Sequence, residues 1–297
     1  MSAVSADTSP AAIRRATLVG GTAILMWSTL ALLTALAGPV PPFLLVSLSF
    51  GLGGLVSVAV LAATGRPLLA VLRQPPQVWA LGIGGLFGYH FLYFLALQTA
   101  PAAEANLINY LWPLLIVLFA GLLPGEKLGK AQLAGTGAGL AGTLLLVTGG
   151  KGVSVEAAYL PGYLAALAAS VTWAGYSVLS RRFGKVPTEI VAFFCLATAA
   201  LAVPCHLLFE QTVWPQGAVG WGIILSMGLG PVGLAFLVWD HGVKRGDIQT
   251  LGALSYTTPL LSTGLLIAAG RAELSLPVIG ACLLIVGGAV VASRGLR

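Results

Sequence analysis

The sequence predicts an all-α integral membrane protein of ten transmembrane helices, arranged as two inverted five-helix repeats with both termini in the cytoplasm. Three observations predict it. Of the 297 residues, 58% are hydrophobic and 8% charged, with a mean hydropathy of +0.96; a soluble domain carries about 25% charged residues. Apolar runs near the roughly 20 residues that a spanning helix needs tile nearly the whole chain. Positive charge alternates between the two sets of connections.

The elements follow in order. Residues 1–13 form a short polar tail. The run after it is too long for a signal h-region and lacks a clear small-residue cleavage site, so it reads as a retained first helix. Ten runs are predicted at 16–36, 42–63, 78–98, 102–122, 131–149, 159–180, 188–208, 218–240, 248–268 and 275–293. None shows the period-2 alternation of a membrane β-barrel. The connections are too short for a soluble domain. The three cysteines, Cys195, Cys205 and Cys282, form no CxxC pair and read as small apolar residues.

Charge sets the topology. Arg14, Arg15, Arg66, Arg73, Lys127, Lys130, Arg181, Arg182, Lys185, Lys244, Arg245, Arg294 and Arg297 fall at the termini or after helices two, four, six and eight. Lys151 and Arg271 alone lie on the other side. The positive-inside rule then puts both termini in the cytoplasm. The net charge of +6 is dispersed over helix ends, which argues against a nucleic-acid partner and for a lipid bilayer.

NYLWPLL (109–115) and SYTTPLL (255–261) share Tyr, Pro, Leu and Leu at an offset of 146. The same offset pairs Trp27 with Trp173 and Pro41 with Pro187. A one-residue slip pairs Gly135 with Gly280 and Gly142 with Gly287. The chain therefore divides into a first repeat, 14–150, and a second, 159–297. Five helices per repeat is odd, so the second enters the membrane inverted, the architecture of alternating-access transporters.

Helix four, NLINYLWPLL from Asn106, places Asn106, Asn109, Tyr110 and Pro113 on one face. A polar face inside the bilayer must meet protein or water. Pro113 frees a carbonyl near Asn109, and Pro259 does the same near Ser255. For Asn109 and Ser255 two readings stay open: cavity lining, or hydrogen-bonded glue between helices contributing about 0.6–2 kcal/mol. Trp27 and Trp173 lie inside helices one and six, whereas Trp79, Trp214 and Trp221 near span ends read as an interfacial belt. Tyr89 and Tyr93 share a face of helix three beside His90. Tyr110, Trp112, Tyr176, Trp239 and Tyr256 add to the aromatics, whose flat apolar bodies and polar tips suit a ligand with an aromatic or apolar part; the predicted substrate-binding set is Trp27, Tyr89, His90, Tyr93, Asn109, Trp112, Trp173, Tyr176, Ser255 and Tyr256, with plain packing as the alternative. Gly228, Gly230 and Pro231 in GLGPVG are read as a gating kink with Pro113 and Pro259. Gly84 with Gly88, and Gly135 with Gly139, fit small-xxx-small packing.

Ten helices in two halves, a Trp in helices one and six, and the Pro-Leu-Leu step in helices four and nine resemble the drug/metabolite transporter superfamily, EamA-type. NLINYLWPLL, with GYHFLYFLAL before it, is similar to the aromatic amino-acid exporter branch. The resemblance implies export of small organic molecules across a bacterial inner membrane, aromatic and large apolar amino acids first, with drugs or other metabolites as the alternative. A channel or a membrane enzyme is the distant alternative; no HExxH and no clustered acids occur. No metal or cofactor is expected.

Acids are sparse. Glu104 reads as a charge at the N-terminus of helix four, Asp240 as a solvated end of helix eight, and His90 as the one mid-span titratable group. With no central carboxylate, passive facilitation or weak coupling is expected.

Overall fold

The computed structural model describes residues 9–125, 127–152 and 156–293, and the regular structure there is helical throughout. Among the described residues nine helices are long and apolar enough to cross a membrane: α1 (Pro10–Ala37), α2 (Pro42–Ala63), α3 (Pro76–Thr99), α4 (Ala102–Ala120), α5 (Lys130–Thr148), α6 (Ala157–Phe183), α7 (Ile190–Phe209), α8 (Gly217–Arg245) and α9 (Ile248–Ala268). The last helix, α10 (Leu276–Ser293), is shorter as an apolar span over its described side chains, Leu276–Ala292. A turn of helix at Leu68–Leu72 links α2 to α3.

Two boundaries differ from the sequence prediction by more than three residues. Helix α1 starts at Pro10, not 16, because the Ser9 hydroxyl accepts from the Ala12 amide at 3.3 Å and proline suits the first helical position; the last residues assigned to the tail are therefore helical. Helix α8 runs on to Arg245, past the expected end at 240, because Arg181 donates to the carbonyls of Val243 (3.1 Å) and Gly246 (2.9 Å) at its C-terminus.

The helices pair α1 with α8, α3 with α6, α2 with α7, α4 with α9, and α5 with α10. Exchanging α1–α5 for α6–α10 leaves this set of pairs unchanged. Close approach is built on glycine: a Cβ on Gly20 would sit 2.7 Å from the Gly242 Cα, holding α1 against α8, and Gly135 meets Gly288 and Ala292 between α5 and α10. Gly84 meets nothing, so the expected Gly84/Gly88 packing is not made; Gly82 and Gly85 instead receive the rings of Phe194 and Tyr176. The register shifts because Gly84–Gly88 is a π-helical stretch.

Helix α6 shows how one sequence serves two solvents. Leu160, Leu164, Leu167, Val171 and Leu179 are exposed along one face, where lipid would lie, while Tyr163, Ala166, Ser170, Trp173 and Ser177 are buried. At the end where α1 starts, Thr17 accepts from the Asp247 amide at 2.8 Å. At the opposite end the Glu210 carboxylate closes α7 on α2: it accepts from the Phe43 and Leu44 amides at 2.8 and 3.2 Å and meets His206 Nδ1 at 2.8 Å, an anion on a helix N-terminus. His206, in the last turn of α7, is thus a buried histidine at a span end that the sequence reading did not single out.

Candidate functional site

Interruptions in four helices shape the centre. Helix α4 breaks between Asn109 and Trp112, and α9 between Leu254 and Thr257, at positions about 146 residues apart. Pro113 falls in the first turn of the restarted α4 segment, where its missing amide costs no hydrogen bond. The break leaves the Tyr110 carbonyl without a helical donor, and the hydroxyl of its repeat mate Tyr256 donates to it at 3.0 Å. Helices α3 and α8 each carry a π-helical stretch, Gly84–Gly88 and Gly228–Leu234, the latter containing Gly228, Gly230 and Pro231. Such stretches are frequent at functional sites. Trp27 Nε1 donates to the Pro231 carbonyl at 3.0 Å, tying α1 to this stretch.

Around these breaks the aromatic side chains converge. The Trp27 ring lies 5.6 Å from Trp173, 6.4 Å from Trp112, 5.8 Å from Phe236 and 5.0 Å from Trp239. Trp173 is also 5.6 Å from Tyr89 and 5.3 Å from Tyr176. Most of these pairs are edge-on or tilted, the geometry that ring quadrupoles favour. His90 is set edge-on to Phe50 at 5.0 Å, and its Nδ1 lies 2.7 Å from the Leu86 carbonyl, which fixes the proton on Nδ1 when the ring is neutral. Tyr89 and Tyr93 stack in parallel at 5.9 Å, one helical turn apart.

Two amides decorate this cluster. Asn109 Nδ2 donates to the Tyr89 hydroxyl at 3.2 Å, and its Oδ1 is buried without a partner. The Tyr93 hydroxyl donates to Asn106 Oδ1 at 2.5 Å, and Asn106 Nδ2 donates to the Ala102 carbonyl at 2.8 Å. Seven predicted residues therefore form one assembly: Trp27, Tyr89, His90, Tyr93, Asn109, Trp112 and Trp173, with Tyr176 beneath them. Ser255 and Tyr256 stand apart. The Ser255 hydroxyl donates to the Leu251 carbonyl at 2.8 Å inside its own helix, and Tyr256 packs on Gly139 of α5 while its hydroxyl reaches the break in α4. Trp79, in the first turn of α3, packs edge-on to Phe194 at 5.6 Å, whereas Trp214 and Trp221 are exposed and stacked together.

Burial is graded along the bundle. Trp27, Tyr89, His90 and Tyr93 are half-buried, and toward the end where α1 starts exposure falls to 4% at Trp173 and 0% at Trp239. Directly below lies a buried ion pair. Asp240 Oδ2 is 2.8 Å from Lys244 Nζ, with both side chains almost fully covered, and it accepts from the Thr188 hydroxyl at 2.7 Å. Lys244 also donates to the Val186 carbonyl at 3.2 Å. Asp240 is therefore not a solvated helix end. The extension of α8 to Arg245 carries it a full turn inward, under α7. The i, i+4 spacing of Asp240 and Lys244 was the available signal. Phe236 was not singled out from the sequence; its place one turn before Trp239 on α8 was the available signal.

Residues 15–148 and 160–294 each match the EamA-like transporter family. The chain is 59% identical over 281 residues to the aromatic amino acid exporter YddG of Ancylobacter novellus, an alignment covering 94% of this chain and 96% of that one. It is 27% identical over 294 residues to the aromatic amino acid exporter YddG of Escherichia coli, again covering 94% and 96%. A crystal structure superposes with a TM-score of 0.90 at 57% identity, covering 95% of this chain and 97% of that one.

Proposed function

The chain belongs to the EamA-like transporter family, and on that premise we propose that it exports aromatic and large apolar amino acids by alternating access. The single observation that carries this reading is the convergence of Trp27, Trp112, Trp173 and Tyr89 from four helices and both repeats on one point, with amide and phenol groups at its rim. The named function of the two YddG relatives agrees with it.

The proposed topology has ten spans, two inverted repeats and both termini in the cytoplasm of a bacterial cell, with the protein in the inner membrane. The end where α1 starts then faces the cytoplasm and the half-buried rings face the periplasmic side, so the described state is closed below by Trp239, Asp240 and Lys244. A substrate ring would lie against Trp27, Trp173 and Tyr89, using the quadrupole-matched edges and faces they present. The unpartnered Asn109 Oδ1 would accept from the substrate ammonium. The Trp112 amide, at the start of the restarted α4 segment, would receive its carboxylate. The π-helical stretches of α3 and α8 would act as the paired hinges, with Trp27 releasing the Pro231 carbonyl as α8 moves. Transport is proposed to be passive, because the buried Asp240 carboxylate is paired with Lys244 and accepts from Thr188.

The test is counterflow. Liposomes carrying the purified protein are loaded with unlabelled phenylalanine, and labelled phenylalanine uptake is followed with and without an uncoupler. Uptake that survives the uncoupler and is lost in Trp173→Ala is expected, with Trp173→Phe retaining part of it. Absence of uptake by folded wild-type protein overturns the amino-acid reading, and collapse on dissipating the proton gradient overturns passivity.

A further inference from the structure

Away from the aromatic centre, α4, α5 and α6 line a half-open cavity of about 260 Å³. Its wall is hydrocarbon, Leu107, Leu111, Leu140 and Leu144 among others, broken by two polar side chains, Glu104 and Tyr163. Glu104 Oε2 is buried and has no hydrogen-bond partner, and neither has the Tyr163 hydroxyl, on a residue 7% exposed. The sequence reading gave Glu104 only a charge-on-dipole role, and nothing in the export mechanism uses either group. Buried polar atoms are almost always paired, so two orphans on the wall of one cavity need an explanation.

We propose that this cavity binds a primary ammonium carried on an apolar body. An ammonium has three donors and no acceptor, so one group can satisfy the carboxylate oxygen and the phenol oxygen together. A neutral alcohol donates one hydrogen bond but leaves the carboxylate charge unbalanced, and an anion offers the carboxylate only repulsion. The size excludes a bare ion: the volume equals roughly nine waters at about 30 Å³ each, enough for a short alkyl or phenyl group against the leucines. Sites of this kind are mostly apolar with a few fixed polar groups. The ammonium has two natural sources, an amino acid in transit or the headgroup of an aminated phospholipid, since the wall residue Leu144 is exposed on the side of α5 that lipid would cover. The site itself does not depend on the export reading.

The probe is phenethylamine, titrated calorimetrically into the full-length protein in phosphatidylcholine nanodiscs, whose headgroups carry no N–H. Saturable binding is expected, with affinity falling about tenfold or more in Glu104→Gln, the loss of one charge-assisted bond, and in Leu140→Trp, which fills the cavity without touching the charge. The uncharged 2-phenylethanol is expected to bind at least about tenfold more weakly. Unchanged phenethylamine affinity in both variants, or equal affinity for the alcohol, overturns the site. Competition by phenylalanine assigns the site to the transported amino acid, and loss of probe binding in phosphatidylethanolamine nanodiscs assigns it to lipid. Wild-type counterflow of phenylalanine, measured in parallel, separates the two proposals: its absence with probe binding intact sinks export and leaves the site.

Discussion

Replacing Lys244 by alanine strands a buried carboxylate. In the native protein Lys244 Nζ and Asp240 Oδ2 are 2.8 Å apart, with 3% and 2% of the two side chains exposed. At an effective dielectric of about 20 their attraction is about 6 kcal/mol, and the desolvation of both groups opposes most of it. Removing one partner leaves that desolvation uncompensated, and for buried pairs the loss is about 3–5 kcal/mol. The Thr188 hydroxyl at 2.7 Å is neutral and offsets little of it. At about 2–4 °C per kcal/mol, the melting temperature of detergent-purified Lys244→Ala is expected to fall by about 6–20 °C. The double variant Asp240→Asn, Lys244→Met removes both charges while keeping similar volumes, and such exchanges are close to neutral. It is expected to recover most of the loss. A single variant within about 2 °C of wild type would refute the argument, because it means that water reaches the pair, and so would a double variant no better than the single, because the loss is then not that of a stranded charge.

Other substitutions read other parts of the structure. A Cβ at Gly53 meets the Gly228 carbonyl and Gly233, backbone of the π-helical stretch that cannot move aside, so Gly53→Val is expected to cost at least about 1–3 kcal/mol and to appear as loss of monodisperse protein on gel filtration. Tyr256→Phe removes the hydroxyl that serves the Tyr110 carbonyl and is expected to lower stability by about 1–3 kcal/mol, read in thermal melts, with counterflow preserved in the folded fraction. Asn109→Leu removes the unpartnered amide oxygen and is expected to raise the KM for phenylalanine counterflow about tenfold with little change in melting temperature; an unchanged KM shows that Asn109 only braces Tyr89.

Most of the architecture could be read without coordinates, because in a bilayer one physical demand dominates. Every backbone polar group must be paired inside its own segment, so a run of 20 apolar residues between charged turns has few structures open to it. That demand fixed the helical runs at 42–63 and 248–268 to the residue, and the offset of 146 foretold that Tyr110 and Tyr256 occupy equivalent breaks. Aromatic and amide residues at helical spacing marked α3 and α4 as the walls of the site. Sequence spacing could not say which side chains meet across helices. Ser255 and Tyr256, matched to Asn109 and Tyr110 by the repeat, stand apart, whereas Phe236 and Trp239 complete the cluster, since contact depends on helix rotation and on the register shift of the π-helical stretches. The same holds for charge. Asp240 was legible as an acid near a helix end, but its burial was decided by where α7 crosses α8, and only the packed structure brings Thr188 and the Val186 carbonyl to pair what the chain leaves 52 and 58 residues apart.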